Sequence, residues 1–140
     1  MNQLLTAFYT ITTGFTVFTL GQIVINFWLT PIKNHKEVLG EIQSSLIYYA
    51  NVFSPMMNKK TQDEARDKFR KLATQLVSTA RVIPFYKQSS VIFGLPKLEK
   101  IRSAHHSLIG LSNSVGADRK SYVRMETLKE ELDLWFKNED

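Results

Sequence analysis

Residues 1–32 contain no Asp, Glu, Lys, Arg or His; all 18 Lys and Arg and all 13 Asp and Glu follow from Lys33 onward. A chain divided in this way is a two-part protein, an uncharged anchor over residues 1–32 and a polar domain over 33–140. The stretch from Leu4 to Leu29, about 26 residues, makes a helix of roughly 39 Å. A bilayer core is about 30 Å thick, so the segment spans it with length left for tilt. Phe8 and Tyr9 lie near one end and Phe27 and Trp28 near the other, where amphipathic rings favour the headgroup level. Pro31 and Lys33 mark the exit. A basic n-region and a small-residue cleavage site are both missing, and the apolar run is too long for a signal sequence. Lys33, His35 and Lys36 follow the span, and the positive-inside rule places the polar domain in the cytoplasm with the other end outside.

The span is not uniformly apolar. Thr12, Thr16, Thr19, Ile23, Asn26 and Thr30 recur at alternating spacings of four and three, the seam of a left-handed helix pair, and Gln22 borders that face. Thr6, Thr10 and Gly14 form a row of small residues at which helices approach closely. An amide in hydrocarbon gains from a partner on a neighbouring copy, so Thr12, Thr16, Thr19, Gln22 and Asn26 point to self-association. Two other readings stand beside this. Threonine can bond to its own helix carbonyl four residues back, which makes the stripe a tolerated feature of a plain anchor. A polar-lined pore is the other.

Beyond Pro31 the apolar period is that of packed helices. Leu39, Ile42, Leu46, Tyr49 and Phe53 share one face, and Pro55 forces an end. Thr61 and Glu64 have capping-box spacing ahead of a helix with Ala65, Phe69, Leu72, Leu76 and Ile83 on its apolar face. Residues 87–94 read as a connector in which "VIF" lacks a strand to pair with. Pro96 suits the first turn of a third helix carrying Leu98, Ile101, His105 and Leu108. Met125, Leu128, Leu132 and Trp135 mark a last one. The expected fold is all-α, a transmembrane helix followed by a cytoplasmic bundle of about four helices.

Chemistry-bearing patterns are few. No cysteine is present, which excludes disulfides, thiolate catalysis and Cys-based zinc sites. His105 and His106 are adjacent, about 100° apart on a helix, whereas chelating pairs are three or four apart. His105 therefore reads as a packed imidazole with one hydrogen bond, and His35 as interfacial. No phosphate loop or nucleophile elbow occurs, so an enzyme, a metal or a cofactor is not expected. The formal charge of +5 suits anionic lipid or an acidic partner and is too mild to indicate nucleic acid. Lys33, Lys36, Arg66, Arg70 and Lys71 are the candidate contacts for lipid headgroups or an anionic small molecule; for the run "RDKFRK" a solvated helix face is the plainer reading. Tyr48, Tyr49 and Phe53 are candidate subunit contacts, with core packing as the plainer reading.

The block "GQIVINFWLTPIKNHKEVLGEIQSSLIYYANVFS", with "RKLATQLVSTARVIPFY" and "LIGLSNS", resembles small bacterial single-pass membrane proteins of unassigned function. Those proteins share an N-terminal span, a Pro just after it and a "YYAN"-like end to the next helix. The resemblance implies a bacterial inner-membrane location and supplies no catalytic residue. The expected function is a non-enzymatic inner-membrane protein that self-associates and serves as an assembly or scaffold module. Two rivals are a ligand-controlled oligomeric effector or pore whose basic domain binds an anion such as a nucleotide, and an accessory subunit of a membrane hetero-complex.

Overall fold

The computed structural model describes residues 2–50, 58–116 and 118–132, the last stretch with side chains from 123 onward. The described chain is helical and contains no strand. Helix α1, Asn2–Val24, passes into a π-helical segment, Ile25–Leu29, and this into α2, Thr30–Tyr48. The three form one continuous helix of 47 residues, about 70 Å long. No residue of α1 or of the π segment is buried. The first half of this rod is therefore long and apolar enough to cross a membrane, and the protein itself covers none of it.

The helix runs unbroken through Pro31, where the apolar segment gives way to charged residues. Proline lacks an N–H, and its ring clashes with the carbonyl four residues back, here Phe27. The π segment lies immediately before Pro31. Its wider turn opens the backbone where the ring needs room, and the Thr30 N–H bonds to the Ile25 carbonyl in the i→i+5 pattern. The extra residue also turns everything beyond it by one position, about 100°. The seam Thr12, Thr16, Thr19, Ile23 therefore loses its register before Thr30.

Four long helices frame the domain: α2, α3 (Lys59–Val82), α5 (Leu98–Asn113) and α6 (Asp118–Leu132), with the short α4 (Tyr86–Phe93) between α3 and α5. Helix α3 is central, packed on α2 at one side and on α5 at the other, with α6 against α5. It buries Ala65, Phe69, Leu72, Ala73, Leu76 and Ala80; the alanines at 65, 73 and 80 let neighbouring helices come close. Val38, Ile42 and Leu46 meet it from α2, Ile101, Ala104, Leu108 and Leu111 from α5, and Met125, Leu128 and Leu132 extend the same core. A second, smaller cluster of Ile32, Ile83 and Leu95 closes the end nearest the apolar span, flanked by Tyr86 and Phe93.

Several expectations are corrected. Val38, with Ile42, Ser45 and Leu46, is the buried face of α2, while Leu39 and Tyr49 are only partly covered. Helix α2 ends at Tyr48, five residues short of Phe53, which lies outside the described residues, as do Pro55 and Trp135. The cap of α3 is Asn58, whose Oδ1 accepts from the Lys60 N–H at 3.2 Å. Thr61 is already inside the helix, because an earlier residue satisfies the same free N–H groups. Leu98 is largely exposed.

The expected connector at 87–94 is a fifth helix of the domain, α4, Tyr86–Phe93. Its ends explain it. Phe85 takes the left-handed conformation at φ 48° and reverses the chain after Pro84; its carbonyl then accepts from the N–H groups of Gln88 and Ser89. Gly94 at φ 64° ends the helix, and the Leu95 N–H bonds back to the Ser90 carbonyl at 2.9 Å, a Schellman closure. Burial of Ser89 and Ser90 on the inner face fixes the orientation.

Phe69 is fully buried and meets Tyr49 edge-on, with ring centroids 5.8 Å apart. Phe69→Ala should destabilise the domain by about 3–5 kcal/mol, read as a lowered midpoint in urea. Tyr48→Ala, at a ring that is 77 % exposed, should shift it by less than about 0.5 kcal/mol.

Candidate functional site

The residues that join rod and domain are the most constrained polar group in the molecule. Trp28 Nε1–H donates to Ser89 Oγ at 2.9 Å, and the Ser89 hydroxyl donates to the Pro84 carbonyl at 3.0 Å. The Trp28 ring also lies 6.3 Å from that of Phe85. One turn beyond Pro31, His35 is fully buried, not interfacial. Its Nδ1 is 2.8 Å from Thr79 Oγ1 on α3, its Nε2 is 3.3 Å from Tyr86 Oη on α4, and Tyr86 meets its ring edge-on at 5.8 Å.

Counting hydrogens fixes the state of this imidazole. The Thr79 hydroxyl donates to the Gln75 carbonyl at 2.8 Å, and the Tyr86 hydroxyl donates to the Pro96 carbonyl at 2.8 Å. Both hydroxyls can then only accept from His35. A neutral ring carries one N–H, so one of its two contacts has no hydrogen. The 3.3 Å contact at Nε2 is the longer, which assigns the proton to Nδ1, donating to Thr79. Burial favours this neutral form and pushes the His35 pKa from 6.5 down to about 4. The same desolvation pushes the Tyr86 phenol up to about 12. Each of these polar groups is engaged with another element, so that together they clamp α2, α3 and α4 at the end of the domain nearest the apolar segment.

The candidate anion contacts are not brought together. Lys33 and Lys36 flank a groove of about 640 Å³ at the span end of the domain, floored by Ile25, Leu29, Ile32 and Phe93. Arg66 and Arg70 lie toward the opposite end of α3 and are engaged within the fold. Arg66 donates to the Ser112 carbonyl at 3.3 Å and pairs with Asp63 at 3.0 Å, and Arg70 donates to Asn113 Oδ1 at 3.2 Å. Lys71 is exposed on the same helix, and Lys68 pairs with Glu41. The basic run "RDKFRK" is thus used largely to tie α3 to α2 and to the end of α5.

In the span, five threonine hydroxyls bond to the carbonyl four residues back. Thr6 donates to Asn2, Thr10 to Thr6, Thr12 to Phe8, Thr16 to Thr12 and Thr19 to Phe15, all at 2.8–2.9 Å. These groups need no neighbour. Nothing lies within 4 Å of where a Cβ on Gly14 would sit, so that side of the rod is open. Gln22 and Asn26, one turn apart, are the amides left facing outward. His105 Nδ1–H donates to the Ala73 carbonyl at 3.0 Å, the single bond expected of it, and no cluster able to hold a metal occurs among the described residues. Tyr48 is exposed and Tyr49 half-buried, and their rings meet edge-on with centroids 4.9 Å apart. The sequence reading missed Thr79, Tyr86 and Ser89. Each is ordinary in its local pattern, and only the distant partner gives it a role. No family model, characterised protein or solved structure matches the chain.

The His35 clamp makes stability pH-dependent. Below about pH 6.5 the unfolded chain binds a proton there, while the folded one resists until about pH 4, so stability falls as pH drops through that window and levels off beneath it. The loss should total about 2–3 kcal/mol, softened because a proton on Nε2 would reach the Tyr86 oxygen. Urea midpoints of the full chain in detergent between pH 7 and 5 should show the slope, and His35→Gln should flatten it.

Proposed function

We propose that this protein is a single-pass membrane anchor carrying a rigidly attached helical domain on the cytoplasmic side of a bacterial inner membrane, where it self-associates to serve as an assembly module. The observation that carries this reading is the rod itself. Its first half is uncharged, is left uncovered by the rest of the chain, and continues without a break into the domain core at Ile32. An isolated apolar helix in water is unfavourable; lipid supplies the missing cover. The flanking Lys33 and Lys36 favour the cytoplasmic side for the domain.

Association rests on Gln22 and Asn26. With the threonine hydroxyls satisfied inside their own helix, these two amides gain most from a partner within the bilayer, and each such bond contributes about 0.6 kcal/mol. Because the helix is continuous, pairing of the spans would also orient the domains, which is what an assembly module requires.

The test is the mass of the full chain in lipid nanodiscs. Wild type should form a defined oligomer. Gln22→Leu combined with Asn26→Leu should weaken it roughly three- to tenfold, while Thr12→Val with Thr16→Val should leave it unchanged. A wild-type monomer would overturn self-association and leave the amides to the helix of a different protein.

A further inference from the structure

Among the described residues, eight large apolar side chains are exposed beyond the apolar segment, and five of them fall between 82 and 98: Val82, Phe85, Val91, Ile92 and Leu98. They surround α4. Val91 is 84 % and Ile92 72 % exposed, and both occupy the outward face of the second turn of α4, opposite the buried Ser89 and Ser90. Phe85, 70 % exposed, is held in a left-handed conformation that is strained for a bulky residue and that glycine would adopt freely. Its ring lies 6.3 Å from that of Trp28 and is otherwise open.

Position says what covers these side chains. Ser89 bonds to Trp28, and Phe85 lies beside the same ring. Phe93 shares a groove with Ile25 and Leu29. Helix α4 therefore stands beside the last turn of the apolar rod, with Phe93 of α4 in the same groove as Ile25 and Leu29. Lys33 and Lys36 border one side of this surface, with Glu37 nearby. Lys87 and Lys97 border the other, with Glu99, around a hollow of about 540 Å³. The rim is net cationic. An apolar tip with lysines behind it, at the depth of an interfacial tryptophan, matches the headgroup boundary of an anionic bilayer.

We infer that the α4 turn is a second attachment to the membrane: Phe85, Val91 and Ile92 lie in the headgroup–acyl boundary, and Lys33, Lys36, Lys87 and Lys97 meet anionic lipid phosphates around them. This rests on the membrane-spanning reading of the rod. It makes the protein a two-point anchor, with the span as the post and α4 as a foot that holds the domain against the lipid at one height and one rotation.

The chain has no cysteine, so single nitroxide labels can be placed without background. Val91→Cys and Ile92→Cys are read in the full chain reconstituted into phosphatidylglycerol-containing liposomes, with Thr16→Cys as the reference inside the span and Tyr48→Cys as the aqueous one. Labels at 91 and 92 should show oxygen-to-nickel accessibility several-fold above the label at 48 and below that at 16. They should move toward water when Lys87 and Lys97 are both changed to Glu. If 91 and 92 match 48 while 16 is in lipid, the foot is refuted and the span stands. If 16 is also in water, the span reading has failed and the foot with it. Labels at 91 and 92 shielded from both oxygen and nickel would place a protein surface there, a second copy or another chain, and overturn the lipid contact.

Discussion

The accommodation of Pro31 is the constraint on which the remaining architecture depends. A backbone leaving an apolar medium has to keep its carbonyls and N–H groups paired until water is available, and a proline at that point removes a donor and crowds a carbonyl. A kink or a loop would separate rod from domain. The π segment at Ile25–Leu29 absorbs the defect within the helix, so Ile32 enters the domain core one residue after the proline, and His35 is buried one turn later. Trp28, inside the π segment, is turned toward Ser89.

Around that join the polar groups behave as fasteners. Trp28 holds Ser89, His35 holds Thr79 and approaches Tyr86, and Tyr86 reaches the Pro96 carbonyl. The Trp28 and His35 contacts join residues 44 to 61 apart in sequence, and a donor buried there would be costly without its acceptor. The distal end is tied by Arg66, Arg70 and Arg124, which donate to the last turn of α5 or the residues after it. Arg66 and Arg70, which read as a ligand surface in the sequence, are in the fold partners for a carbonyl and a side-chain amide at the end of α5, where the helix dipole favours positive charge.

How much could be read beforehand follows from the range of each interaction. The uncharged rod and the buried face of α3 were legible because they repeat over many residues: Ala65, Phe69, Leu72 and Leu76 keep helical spacing whatever surrounds them. The single bond of His105 was legible from its place on such a face. Helix α4 was not, since eight residues with a β-branched pair give too short a period, and its ends depend on Phe85 adopting a conformation unusual for phenylalanine. The burial of His35 was not legible either, because its partners lie 44 and 51 residues away. Thr61 with Glu64 had the right spacing for a cap, but Asn58 comes first in the chain and takes the position.

The unbroken helix also has a mechanical meaning. In a bilayer, a span longer than the hydrocarbon thickness tilts to fit, and a joint would let the domain ignore that tilt. Here α2 continues the helix for about 28 Å beyond Leu29, so on the proposed membrane-anchor reading a change of about 10° in the span carries the far end of α2 sideways by roughly 5 Å. The rod is then a pointer whose apolar arm, roughly 40 Å long, follows membrane thickness and whose shorter arm displaces Tyr48 and its neighbours, converting a property of the lipid into a position of the domain.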